Sequence, residues 1–357
     1  MSLSDSWAGW YVRSVSALLD PSDASSVGAA VVGALERAGG GRAVRLTSDP
    51  VRVTAATSAW VWFVELAGDV RAEWQGPQVL RIFDPGHDEV LEREVALSRR
   101  LVASGFPVAS TRWYGQLHDT HPALLQQRLP GRPAIELLGT PKLRTVVRAL
   151  GSLQARLHGI DPSGFELPRV DPADFLSGDL TRRRRAVNAV DQTGTWEWLN
   201  DTGERITSSR REAAVLCHGD FHPLNALVSD DGSIGVVDWT DASISDRHHD
   251  VGRSIAIFWF ASLIAEHPLE RVGLRLLRNW LGRTHRAAYE QSAAFQLDDH
   301  RLAWWQIAHL YRGWLQLNEH AEGAVPNRDS STTNRLPDDL TDRLLQRCVA
   351  LRSNASS

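Results

Sequence analysis

Lysine is all but missing: Lys142 is the only one in 357 residues, and arginine carries the rest of the permanent positive charge. A Gly-x-x-x-x-Gly-Lys loop cannot be assembled without a lysine beside a glycine-rich turn, so the chain is not a P-loop nucleotide enzyme. Cysteine is nearly as scarce. Cys217 and Cys348 are too few for a disulfide framework and suit a reducing compartment, and Cys217 reads as a small buried hydrophobe rather than a nucleophile. No apolar run is long enough to span a bilayer; the longest, residues 255–265, reads as a buried helix. An excess of one charge is missing too. With a net charge of −4, neither nucleic acid nor an anionic membrane surface is an expected partner. Residues 1–10 contain Asp5 and lack a basic segment followed by an apolar core, so no export signal is read there and a cytoplasmic location is expected. No internal repeat or heptad array is visible.

The chemistry is concentrated between residues 218 and 239. His218-Gly219-Asp220-Phe221-His222-Pro223-Leu224-Asn225 is followed by two short β-prone runs, 226–228 and 234–237. Asp231-Gly232 between them favours a tight hairpin turn. The hairpin returns the chain to Asp238-Trp239, so Asp238 should lie beside Asn225. One carboxylate to orient and deprotonate a hydroxyl, plus two oxygen ligands for a hard cation, is what γ-phosphoryl transfer needs. Asp220 suits the first task, and Asn225 and Asp238 the second. A rival reading takes His218, Asp220, His222, His248, His249 and Asp250 as ligands of a metal-dependent hydrolase. It leaves Asn225 and Asp238-Trp239 without a role.

His-Gly-Asp-x-x-x-x-Asn, a hairpin and Asp-Trp resemble the catalytic core of the aminoglycoside phosphotransferase family, and also the His-Arg-Asp and Asp-Phe-Gly segments of protein kinases. The resemblance implies an α+β, bilobal protein-kinase-like fold, with a mainly β N-lobe and a mainly helical C-lobe. It makes Asp220 the catalytic base, Asn225 and Asp238 the Mg²⁺ ligands, and His218 a brace for the loop. Asp250 takes the place of an aspartate that ties this loop down, although Asp246-Arg247 stands where Asp-Pro is usual. The implied reaction transfers the γ-phosphoryl of ATP or GTP to a hydroxyl of an antibiotic-like, glycosidic or sugar substrate, with Mg²⁺ in the interlobe cleft. A non-catalytic nucleotide-binding module of the same fold is an alternative reading.

The rest of the chain is read around that core. Residues 7–19 and 24–38 have helical spacing and Gly39-Gly40-Gly41 stops the second helix; residues 1–42 form a helical extension of an N-terminal nucleotide-binding lobe, 1–126. Residues 43–65 turn to β texture and should supply the first two strands. The turn between them, 54–59, lacks the glycine usual over nucleotide phosphates, and the hydroxyls of Thr57 and Ser58 are candidates to replace some of those contacts. A strand over 78–83 and a helix over 89–103 follow. By the resemblance, Arg81 stands where kinases carry a phosphate-binding lysine and Glu94 is its helix partner, an exchange that a forked, permanently charged guanidinium permits. A further strand begins at 106–108. Residues 127–131 are the hinge, where backbone groups of Gln127 and Leu129 would meet the nucleobase, and 132–357 form the C-terminal lobe.

In that lobe, 143–158 is a helix by period, and the basic run 181–185 reads as a solvated helix face. The largely polar stretch 175–211 reads as an insertion walling the cleft. Residues 252–320 read as consecutive aromatic-rich helices, 322–336 as a loop, and 337–352 as a last helix. Asp241, Trp259 and Trp305 are candidates for the acceptor pocket, and the abundance of aromatics leans toward a bulky or neutral hydroxyl substrate.

Overall fold

The computed structural model describes residues 19–39, 43–53, 59–137, 140–208, 213–264, 268–323 and 339–355. Of these, the residues up to Val95 together with Ser110–Arg128 form one compact unit, and Ala96–Ala109 with the residues from Leu129 onward form the other. Segment 96–109, sequentially between the two stretches of the first unit, groups with the second. Its apolar residues explain this, because Leu97, Leu101, Phe106 and Val108 are buried with Leu150, Leu216 and Trp239.

The first unit is an antiparallel sheet with a helix on one face. Helix α1 (Ala24–Arg37) starts at Asp23, whose carboxylate accepts the Ser26 N–H, as an N-cap should. Strands β1 (Ala43–Leu46), β2 (Val51–Val53), β3 (Trp60–Asp69) and β4 (Gly76–Ile82) follow. Three strands thus stand where the sequence suggested two, since Val51–Val53 pairs separately with Val61–Phe63. Helix α2 (Asp88–Ala103) and strands β5 (Thr111–Leu117) and β6 (His121–Gln127) complete a sheet of order β1-β3-β4-β6-β5, with β2 also on β3. Alternation along β3 and β4 sends Trp62, Leu66 and Leu80 to the α1 side, against Val27, Val31 and Leu35. The strand expected to begin at 106–108 begins instead at Thr111. Val108 makes one isolated bridge, to Val236, and Pro107, which has no N–H of its own, accepts the Val236 N–H at 2.8 Å.

The second unit holds strand β7 (Arg132–Pro133), helix α3 (Leu143–His158), strand β8 (Arg169–Val170) and helix α4 (Pro172–Asp174). Helix α5 (Thr181–Ala186) follows a π-wound stretch, Phe175–Leu180, and precedes helix α6 (Thr195–Ser208). Strands β9 (Val215–Cys217), β10 (Ala226–Val228), β11 (Ile234–Val236) and β12 (Ser243–Ser245) lead into α7 (Arg247–Ile264), α8 (Pro268–Ala293), α9 (Asp299–Ala321) and α10 (Leu340–Ala355). The hairpin β10–β11 pairs Ala226 with Val236 and is extended by β7. A second small sheet sets β12 between β9 and β8. The stretch read as a polar insertion also contributes to the core. Phe175, Leu176, Leu180, Leu199 and Ile206 are buried with Trp304, Trp305, Tyr311 and Leu344.

Candidate active site

Strand β9 ends at Cys217, and the chain then makes a sharp turn that only glycine allows. Gly219 has φ +79°, and a Cβ there would lie 2.1 Å from the Asp241 carbonyl oxygen. Its N–H donates to Asp250 Oδ1 at 2.7 Å. The other Asp250 oxygen accepts from Gln154 Nε2 at 2.8 Å and faces His158 Nε2 at 3.0 Å. Burial would push this carboxyl up, but the hydrogen bond and charge of His158, with His218 and Gln154, hold it well below the usual range. The loop is therefore anchored from α7 to α3 through one buried carboxylate.

His218 is fully enclosed and spends both ring nitrogens on the backbone: Nε2 lies 3.1 Å from the Val237 carbonyl, and Nδ1 accepts the Asp220 N–H at 3.2 Å. Burial lowers its pKa, so the ring is neutral and bridges the loop to the end of the hairpin. Trp239 packs on the same ring at 4.4 Å and edge-on to Phe106. The Val237 N–H donates to the Asn225 carbonyl at 2.9 Å, which sets Asp238 next to Asn225. Asn225 Nδ2 lies 3.0 Å from the Asp220 carbonyl and 3.2 Å from Asp220 Oδ2. Asp238 has φ +61°, a left-handed conformation unusual for a residue with a Cβ, and its Oδ1 accepts from the Thr240 hydroxyl at 2.8 Å. The loop thus sets Asn225 against the Asp220 carboxylate, and the backbone bond from Val237 to Asn225 sets Asp238 one residue beyond that pairing.

The Asp220 carboxylate is only partly exposed. Oδ2 also accepts from His222 Nε2 at 3.0 Å, while His222 Nδ1 accepts the Leu224 N–H at 3.2 Å and so fixes the tautomer. Oδ1 accepts Arg253 Nε at 3.2 Å and Nη2 at 3.0 Å. Burial raises this group's pKa, but His222 and Arg253 outweigh it and hold the carboxyl far below its ordinary range. Arg253 was not legible as a site residue. In the sequence it is one arginine among many, and only the pitch of α7 aims it at Asp220.

The metal-dependent hydrolase reading fails on the same geometry. His248 Nε2 accepts the Asp298 N–H at 2.9 Å, and His249 packs among Phe175, Trp305 and His309. These rings do not share a position with His218 and His222. Among the described residues, His158, Cys217 and Asp250 do bring ligand atoms within 4.8 Å. There, however, His158 Nε2 lies directly on Asp250 Oδ2 at 3.0 Å, the other Asp250 oxygen takes the Gly219 N–H, and burial raises the Cys217 thiol well above its ordinary value.

The sequence model of the Phosphotransferase enzyme family (APH) matches residues 61–295, which include every element of this loop and hairpin. The chain belongs to that family. An aminoglycoside 3'-phosphotransferase of Streptomyces fradiae is 32% identical over 204 residues, covering 51% of this chain and 68% of that protein. Among solved structures, a thermostable mutant of an aminoglycoside phosphotransferase superposes with TM-score 0.60 at 18% identity, over 91% of this chain and 99% of the other. Amicoumacin kinase, solved with AMP-PNP, Ca²⁺ and amicoumacin, superposes with TM-score 0.55 at 16% identity, over 82% and 88%. At such identities these two likenesses show the fold: the α+β, protein-kinase-like fold of the aminoglycoside phosphotransferases.

In this phosphotransferase, Arg81 on β4 and Glu94 on α2 form a buried ion pair through Nη1 and Oε1, with side-chain exposures of 7% and 3%. Thr57 and Ser58 lie outside the described residues. The Gln127 N–H donates to the Ser110 carbonyl at 2.9 Å and its side chain accepts the Ser110 hydroxyl at 3.0 Å, so that N–H is committed to the protein. Leu129 packs its side chain over Gly235 of β11. Of the acceptor-pocket candidates, Trp305 is corrected by the structure. It is 0% exposed and donates its indole N–H to Asp246 Oδ2 at 3.2 Å, a core position that no ligand reaches. The Trp259 ring has the guanidiniums of Arg278 and Arg347 at 3.1 and 3.9 Å from its centroid. Asp241 is half-exposed beside Gly219, with Arg312 Nη1 3.9 Å from its carboxylate.

Proposed function

We propose that this phosphotransferase passes the γ-phosphoryl of ATP or GTP to a hydroxyl of an antibiotic-like, glycosidic or sugar molecule. One observation carries the reading: a single residue, Asn225, holds the Asp220 carboxylate through its side-chain amide and the chain entering Asp238 through its backbone carbonyl. Asp220 receives and orients the acceptor hydroxyl. Its oxygen attacks the γ-phosphorus, the bond to the β-phosphate oxygen breaks with its electrons on the nucleoside diphosphate, and the hydroxyl proton leaves toward Asp220.

The donor set suits Mg²⁺. Asn225 turns its Nδ2 to Asp220 and so keeps Oδ1 for a cation, and Asp238 adds a carboxylate from a strained backbone position. Two protein oxygens leave room for phosphate and water in an octahedral shell. Such a cation neutralises charge on the transferred phosphoryl group. Arg81, held by Glu94, is assigned to nucleotide phosphate, Leu129 to nucleobase contact, and Asp241 to the acceptor. His218 and Asp250 support the loop.

The Streptomyces fradiae relative is named for aminoglycosides, which supports a hydroxylated antibiotic as acceptor and a role in resistance. The test is a thermal-shift screen of ATP and GTP with Mg²⁺, followed by hydroxylated antibiotics and sugars with detection of nucleoside diphosphate. Nucleotide stabilisation with acceptor-dependent diphosphate release is the expected result. Tightly held zinc with hydrolysis in place of transfer would refute it.

A further inference from the structure

The Asp220 carboxylate has no room for a newcomer. An ionised carboxylate offers about four acceptor positions. Four donors take them: Arg253 Nε at 3.2 Å and Nη2 at 3.0 Å on Oδ1, and His222 Nε2 at 3.0 Å and Asn225 Nδ2 at 3.2 Å on Oδ2. A hydroxyl that is to be oriented by Asp220 must displace one of them. Asn225 is held twice, on the Asp220 carbonyl as well as the carboxylate, and His222 is pinned through Nδ1 to Leu224. Arg253 is the donor to yield, since both of its bonds fall on one oxygen and its side chain is long.

Resting on the phosphotransferase reading above, we infer that Arg253 is a specificity-determining residue that reserves Asp220 for oxygen-rich acceptors and denies it to water. A guanidinium moved off Oδ1 still needs an acceptor, because an unpaired charge with 13% of its side chain exposed is costly. A polyol or glycoside meets both needs at once: one hydroxyl donates to Asp220 while a neighbouring oxygen accepts from Arg253. A single water can bridge the two groups, but it brings no other contact to offset the direct ion pair that it breaks, whereas a polyol held by its remaining oxygens does. The placement is built into α7. Asp250 holds Gly219 and, three residues on, Arg253 holds Asp220, so one helix face governs both the anchor and the reserved oxygen.

Hydrolysis follows the same chemistry as transfer: a water oxygen bonds to the γ-phosphorus, the bond to the diphosphate breaks, and the water proton leaves toward Asp220, giving inorganic phosphate. Full-length protein, Arg253→Gln and Arg253→Lys are compared for phosphate release from ATP and GTP with Mg²⁺ and no acceptor, with nucleotide-induced thermal shift as the binding readout. Arg253→Gln should hydrolyse several-fold faster than the parent at an unchanged nucleotide shift. Arg253→Lys, with one donor nitrogen where there were two, should rise by a smaller factor and decides alone if the glutamine variant does not fold. Adding Asp220→Asn to Arg253→Gln should erase the gain, which a merely structural arginine would not produce. Hydrolysis at or below the parent rate, with binding retained, overturns the inference and leaves the phosphotransferase reading standing. A parent that shows neither nucleotide shift nor turnover brings down both.

Discussion

At the scale of single residues, the site is a set of groups whose ordinary freedom has been removed. Asp220 is ionised and saturated, His218 is neutral and spends both nitrogens, and Gly219 sits where no other residue fits. Asp220→Asn keeps the shape but loses the charge; turnover should fall by about 10²–10⁴-fold with nucleotide binding retained, read from kcat and nucleotide thermal shift. Gly219→Ala meets both a positive φ and the Asp241 carbonyl, so a backbone cost of about 1–3 kcal/mol is expected from conformation alone. A melting temperature equal to the parent's would show that the turn is not required. Asp220, Asn225 and Asp238 stood out as candidates because their spacing in sequence is local. Arg253 was not, since its partner lies 33 positions away and nothing about an arginine in a helix announces that.

At the scale of elements, strongly periodic segments were readable and short ones were not. Helices α1, α2 and α3 and the hairpin β10–β11 follow from spacing and turn chemistry. Strands β8, β9 and β12, of two or three residues, are too short to show alternation, and β12 pairs with β9 across more than twenty intervening residues, beyond any local signal. Helix α6 was misread as part of a polar insertion because only a narrow stripe, Leu199, Gly203 and Ile206, faces the core. The C-terminal helix is equally integral. Leu344 is 1% exposed against the α9 core, so Leu344→Ala should cost about 2–5 kcal/mol in denaturant unfolding. A cost below about 1 kcal/mol would mean that α10 can be dispensed with.

At the scale of the whole molecule, buried histidines set a pH dependence. Burial lowers His249 and His285 to about 4, and His309 lies well below its ordinary value through burial and the neighbouring His249. Their folded pKa values are below the unfolded value near 6.5, so the unfolded chain binds more protons in between. Stability is therefore full above about pH 6.5 and falls as pH drops toward 4, by roughly 3 kcal/mol for each histidine lowered to that value. Below pH 4 the depressed Asp246 and Asp250 carboxyls extend the loss. Unfolding free energy should be level from pH 7.5 to about 6.5 and decline from there to pH 4, and a profile flat throughout would contradict these burials. Among the described residues, no helix is long and apolar enough to cross a membrane.

Amino-acid order alone was enough to set a carboxylate and two hard oxygens, the groups that phosphoryl transfer needs, within one turn and one hairpin. It also determined the exclusion of a P-loop, because a missing lysine cannot be replaced by folding. Tertiary structure decided which distant groups press on that loop: Arg253 on the carboxylate, Asp250 under the glycine, Trp305 in the core instead of a pocket. Periodicity reports which face of a helix is apolar, while the partner that a given side chain meets depends on how helices pack, and packing is a property of the whole chain.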